Sequence, residues 1–260
     1  MDRDHRNPAN ALAADDASPL SPRFFEENSD GAEGVLLALA LAVEQRDDVT
    51  AGHCERLAIT SLALGMAMGL DHTRLVALYR GAFLHDIGKV GIPDSILLKR
   101  GKLTADEWTV MRGHPVSGAE ICSHLKSLSP VLPIIRHHHE RWNGTGYPDG
   151  LDGEMIPLLA RVLQIADIFD ALTSHRCYKP AYSPKAAVRI IEDETARGWR
   201  DPQVVNLFLR IHHDLITRII EYEHPSDYSL SALRRNLVSL SPIMSAQAAL
   251  LGYHTPVIAG

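Results

Sequence analysis

Residues 85–93 read His85-Asp86-Ile87-Gly88-Lys89-Val90-Gly91-Ile92-Pro93, and residues 138–148 read His138-His139-Glu140-Arg141-Trp142-Asn143-Gly144-Thr145-Gly146-Tyr147-Pro148. Each stretch follows an apolar segment with helical spacing, so His85, Asp86, His138 and His139 are expected where helices end. The second stretch runs into one long Gly-rich loop, Glu140 to Gly153. Around them almost every segment carries helix punctuation, and none alternates with period two over a useful length.

The helix expectations are specific. Val35–Gln45 forms one helix. Thr50 or Gly52 opens another that runs to about Met68 and is closed by Gly69. Asp71 caps a third that ends at His85-Asp86. Thr104-Ala105-Asp106-Glu107 is a capping box. Pro93, Pro115 or Val116, Ser129-Pro130, Pro157, Ser183-Pro184 and Asp201-Pro202 start the others, because Pro suits a first helical turn. Gly101, Gly198 and Pro225 supply stops. The fold class is all-α, a bundle of about nine or ten helices. Leu230, Leu233, Leu237 and Leu240 fit one helical stripe in a C-terminal extension, 225–260.

Composition narrows the function. The chain has 260 residues, 45% hydrophobic and 22% charged, which excludes wholesale disorder. Net charge is −6, and residues 1–32 carry seven acids against three arginines, so they read as a disordered acidic tail. No basic field exists to hold long nucleic acid. Three scattered cysteines make no disulfide framework and suggest a reducing cytosol. The longest apolar run, Val35 to Val43, has nine residues and is too short for a bilayer. A cytoplasmic protein without a membrane partner is expected.

The composition also holds 14 histidines, crowded between His53 and His139. Taken singly, a histidine on a helix is more often a surface or hydrogen-bonded core residue than a ligand. Joint occurrence changes the weighing. Asp167 lies in an apolar helix, where a carboxylate is costly unless paired or metal-bound. His53 and His114 sit near helix starts, and helical bundles build metal sites from such side chains.

Residues 85–93 resemble the signature of the HD-domain metal-dependent phosphohydrolases, and residues 138–148 that of their HD-GYP subfamily. The likeness continues through Leu103-Thr104, Glu107-Trp108, Met111, His114-Pro115, Asp167, Asp170-Ala171-Leu172-Thr173 and Arg176, over roughly residues 33–224. It implies an HD-domain-like bundle with the GYP loop over a buried metal site. It implies hydrolysis of cyclic di-GMP to pGpG by a hydroxide bridging two metals, with GMP as an onward product left open. The implied ligands are His53, His85, Asp86, His114, His138, His139 and Asp167, with Asp86 bridging. Val49 stands where some relatives place a Glu that helps hold a third metal, so two ions are expected. Mixed imidazole and carboxylate ligands suit iron or manganese, with zinc, nickel and cobalt left open.

The resemblance further implies that Lys89 contacts the scissile phosphate, that Arg176 and Lys179 lie near the substrate phosphates, and that Gly146 and Tyr147 border the pocket. Two departures stand out. Asn143 replaces the usual Asp, removing a charge expected beside the ligands, and Cys177 replaces the usual Pro. The rival reading is a catalytically weak cyclic di-GMP receptor acting through protein partners, a diguanylate cyclase among them. A homodimer is left open.

Overall fold

The computed structural model describes residues 31–47, 52–174 and 181–221. Every regular element among them is helical, and β pairing among the described residues is confined to one bridge, Asn143 with Asp152. The α-helices are α1 (Gly31–Arg46), α2 (His53–Ala67), α3 (His72–Leu84), α4 (Asp94–Leu97), α5 (Ala105–Met111), α6 (His114–Ser123), α7 (Leu132–His137), α8 (Leu158–Thr173), α9 (Pro184–Ala196) and α10 (Pro202–Glu221).

The caps follow the sequence. Asp71 accepts a hydrogen bond from the Arg74 amide, and Ser183 from that of Ala186. Thr104 and Glu107 complete the capping box on α5. Two boundaries differ: the helix expected over Val35–Gln45 already opens at Gly31, inside the stretch read as tail, and the second lies after residue 128. A helix expected to open at Ser129-Pro130 opens at Leu132 instead. A 3-10 turn, Lys126–Leu128, takes up the preceding amides: Ser129 donates to Lys126 and Val131 to Leu128. The Leu230–Leu240 stripe and the tail before residue 31 lie outside the described residues.

Helix α2 is the axle. It is apolar nearly all round, which suits a helix buried on every side. Leu57, Leu62 and Leu64 are fully buried, and it packs on α3, α8 and α10. Truncating any of these leucines to Ala costs about 2–5 kcal/mol. Ten consecutive residues of α3, Leu75–Leu84, are buried too. These two helices therefore carry His53 and His85 into the interior on rigid supports.

Polar clips fasten the rest. Arg80 of α3 holds the buried Glu33 of α1 through two contacts, one of 2.9 Å. Arg46, at the end of α1, donates to the carbonyls of Lys89 at 3.2 Å and Ile92 at 2.6 Å and pairs with Asp94. The α1 terminus is thus tied to the turn that carries Lys89. No helix among the described residues is long and apolar enough to cross a membrane.

Candidate metal centre

Asp86 sits where the helices converge. Its Oδ2 lies 3.2 Å from His85 Nε2, and its Oδ1 lies 3.1 Å from His114 Nε2 and 3.8 Å from His138 Nε2. The groups divide into two sets that share this carboxylate: Asp86 with His114, His138 and His139, and Asp86 with His53 and His85. Asp167 faces His53 Nε2 at 3.8 Å. All seven side chains expected as ligands therefore meet.

The local fold aims them. His85, His114 and His138 each donate Nδ1–H to the carbonyl three residues earlier: Ala82 at 3.0 Å, Met111 at 2.8 Å and Ile135 at 2.7 Å. A carbonyl can only accept, so this fixes the tautomer and leaves each neutral ring a lone pair on Nε2, directed inward. His53 is aimed likewise by Asp170, whose Oδ2 takes its Nδ1–H at 2.7 Å. Asp170 is in turn held by Arg56, which also donates to Ser174 Oγ at 3.1 Å.

The donor set fits a divalent cation. His85 Nε2 and Asp86 Oδ1 are buried without a well-directed hydrogen bond. His114 Nε2 and His138 Nε2 face each other at 3.4 Å. Two imidazole nitrogens about 2.1 Å from one metal lie roughly 3.0–3.4 Å apart at ordinary coordination angles. Burial, and then the charges of neighbouring histidines, holds His138 and His139 well below the ordinary histidine range, so both are neutral. Burial disfavours charge on His85 as well, but the Asp86 carboxylate prevails and raises it to about 9. Burial opposes the charge on Asp86 too, yet Lys89 and His85 keep its carboxyl well below the usual range.

Around this core the expected substrate residues fall out unequally. Lys89 Nζ is 2.6 Å from Asp47 and 2.7 Å from Asp86. Its neighbour Gly88 is packed so tightly that a Cβ would collide with the His114 carbonyl. Tyr147 lays its ring 4.8 Å from that of His139, and its amide donates to the His139 carbonyl. Gly146 has a structural reason of its own: a Cβ there would collide with the backbone of Glu140 and Arg141. Arg176, Lys179, Cys177 and Val49 lie outside the described residues.

Asn143 does not face the cluster. It is exposed and works within the loop, accepting from Thr145 N at 3.2 Å and Thr145 Oγ1 at 2.7 Å. Its amide donates to the Arg197 carbonyl at 3.4 Å, a bond an Asp could not make. The expectation of a lost charge beside the ligands is therefore corrected: the change acts on the loop's anchoring to the end of α9.

Three residues with clear contacts have no role in the sequence reading, although Asp170 lies within the likeness. Asp170 shares a helix face with Asp167 at i, i+3 spacing, which could have flagged it. Asp47 reaches Lys89 across 42 residues, and no local pattern signals that. Arg112 sets its guanidinium over the Tyr147 ring, two residues before the candidate ligand His114.

Buried imidazoles and carboxylates converging between helices define a metal-binding helical bundle. The chain belongs to the HD-domain family, whose sequence pattern matches residues 38–204. It is 41% identical over 196 residues to a cyclic di-GMP phosphodiesterase of Vibrio cholerae, covering 70% of this chain and 40% of that one. It is 43% identical over 177 residues to the cyclic di-GMP phosphodiesterase response regulator RpfG of Xanthomonas campestris, covering 67% and 47%. The chain thus spans about half the length of the curated relatives it matches. In fold it is similar to the V. cholerae cyclic GMP-AMP-specific phosphodiesterase V-cGAP3, at 20% identity, TM-score 0.58, and 88% of this chain on 61% of that one.

Proposed function

We propose that this chain is a cytoplasmic cyclic di-GMP phosphodiesterase, opening the ring to pGpG, with residues 33–224 as its catalytic domain. The observation that carries the reading is the pair of ligand sets sharing Asp86, with Tyr147 of the GYP loop against His139. The names of relatives about 40% identical support the substrate class. His114, His138 and His139 would hold one ion and His53, His85 and Asp167 a second, with Asp86 between them. Iron or manganese suits this donor set. Two such ions supply an activated water at neutral pH and Lewis acidity toward a phosphoryl oxygen.

The chain's own groups do the rest. Lys89 is buried, but Asp86 and Asp47 hold its pKa above the ordinary lysine range, so it stays charged. An ammonium has three N–H donors; two serve Asp47 and Asp86, and the third is left for a phosphate oxygen. A cation there opposes the charge that gathers on the equatorial oxygens in the transition state. Burial, reinforced by the Asp86 charge, pushes the Tyr147 phenol up, so it remains an O–H donor at neutral pH. Arg176 and Lys179 supply further cations for the phosphates in this reading. The acidic tail and the C-terminal extension serve regulation or contact with a partner such as a diguanylate cyclase.

The test is turnover of cyclic di-GMP by anaerobically purified full-length protein loaded with Fe(II) or Mn(II), with metal content measured on the same sample. Conversion to pGpG that disappears in Asp86→Ala is expected. Absence of turnover with two ions bound would overturn the assignment, and a binding titration would then separate a receptor from an enzyme acting on another nucleotide.

A further inference from the structure

Helix α5 is seven residues long and buries none of them. It is nevertheless held firmly, by its capping box and by Lys99, whose Nζ sits 2.8 Å and 2.6 Å from the two Glu107 oxygens. On it stands Trp108, 45% exposed. The guanidinium of Arg112, one turn later, lies 5.7 Å from the Trp108 ring centre and 5.4 Å from that of Tyr147. Tyr147 rests 4.8 Å from His139. A continuous row, His139–Tyr147–Arg112–Trp108, therefore leads from the ligand cluster to solvent.

Arg112 belongs with the described arginines that have no carboxylate partner. Arg46, Arg56, Arg80, Arg136, Arg161 and Arg200 each pair with a carboxylate. Among the described residues Arg112 makes no ion pair, and its side chain makes no hydrogen bond. Arg141 is also stacked on an indole, that of Trp199 at 4.0 Å. Stacking alone is therefore not the signal. Arg197 shares that indole at 5.5 Å, and neither it nor Arg141 makes an ion pair among the described residues; the signal is the place of Arg112, one ring away from the centre that would cleave a phosphodiester.

We infer that Trp108 and Arg112 form a rim subsite for the half of the cyclic dinucleotide that is not being cleaved. The exposed indole offers a face to a purine, and base stacking of this kind is tolerant of sequence. The two rings orient the guanidinium, leaving its N–H edge for bidentate contact with the second phosphate or with guanine O6 and N7. The inference rests on the cyclic-dinucleotide reading above. It adds a contact that grips the cyclic substrate outside the metal centre.

Steady-state kinetics on the metal-loaded full chain test it, with cyclic di-GMP and bis(p-nitrophenyl) phosphate as parallel substrates. The second is a phosphodiester with no purine and no second phosphate. In Arg112→Gln and in Trp108→Ala, KM for cyclic di-GMP is expected to rise about tenfold or more. The ratio of kcat/KM for cyclic di-GMP to that for the small diester should fall by the same factor, with metal content intact. Arg112→Lys should recover only part of the loss, because an ammonium cannot make the bidentate contact. Wild-type kinetics retained in both variants, or equal losses on both substrates, would overturn the subsite. Wild-type protein that cleaves the small diester but neither binds nor cleaves a cyclic dinucleotide would overturn the parent reading, and the subsite with it.

Discussion

His114 Nε2 and His138 Nε2 point at one another across 3.4 Å, and in their neutral forms neither has a proton to give the other. Each ring spends its one N–H on a backbone carbonyl, of Met111 and Ile135 respectively. Two lone pairs held face to face on rigid helices are stabilised only by a cation between them. His138→Ala should therefore lose bound metal, and cyclic di-GMP turnover should fall by more than about a hundredfold, since even outer partners of ligands cost 10–100-fold. In the wild type, saturating metal should raise the unfolding free energy by about 3 kcal/mol at a hundredfold excess over Kd. Calorimetry with and without chelator should show that shift in the wild type and a much smaller one in the variant. Equal metal-dependent stabilisation in both would refute the placement.

Lys89 and Asp47 form a unit, joined at 2.6 Å. Asp47 stands just past the end of α1, and its neighbour Arg46 clamps the same turn by its carbonyls. Lys89→Met should lower kcat by about 10²–10³, the usual scale for removing one transition-state contact. Asp47→Asn should lower it by about tenfold, because the ammonium keeps its charge and loses only its tether. The double variant should be no worse than Lys89→Met alone, since coupled residues are not additive. Losses that simply multiply would show that Asp47 acts elsewhere.

Gly146 presses its Cα face against the backbone of Glu140 and Arg141, where a methyl group has no flexible neighbour to displace. Gly146→Ala must move the loop that carries Tyr147. Overpacking of this kind costs about 1–3 kcal/mol. Urea unfolding should report that loss, while metal content stays at the wild-type level because no ligand lies in the loop beyond His139. Turnover should fall more than stability predicts. A variant with wild-type kcat would mean that Tyr147 need not sit on His139.

How much of this was legible in the sequence depends on whether the cause is local. The caps at Asp71, Thr104 and Ser183 are local hydrogen bonds, and the residues that make them are visible in a row of letters. The candidate ligand set was legible because two motifs carry four of its seven members. The role of Asp170 was not, because it meets His53 across 117 residues and that role exists only after α2 and α8 pack. Arg112 was not, because a surface arginine and one stacked on a pocket ring have the same sequence context. Asn143 misled because proximity in sequence to His139 was read as proximity in space, whereas the loop carries it outward to Arg197.

Asp170 supplies a pH test with a definite sign. It is buried, and burial opposes its charge, but the hydrogen bonds and charges of His53 and Arg56 prevail and lower its carboxyl to about 2. An unfolded Asp titrates near 3.9, so the folded state holds this group ionised below the pH at which the unfolded chain protonates it. The resulting stabilisation is fully present above about pH 4 and is lost as pH falls from about 4 toward 2. Its size is about 2 kcal/mol. Asp170→Asn removes this contribution and leaves the Arg56 guanidinium without its carboxylate. Urea unfolding of the metal-free proteins should therefore show the variant less stable at pH 7, by about 2 kcal/mol or more. The gap should narrow as the buffer is taken down through pH 4, because the wild type then loses what the variant already lacks. The variant should also bind metal about 10–100-fold more weakly, because the single amide oxygen cannot accept from both His53 and Arg56 and the orientation of His53 is no longer fixed. A gap that stayed constant from pH 7 to pH 3 would show that the carboxylate's ionisation is not what Asp170 contributes.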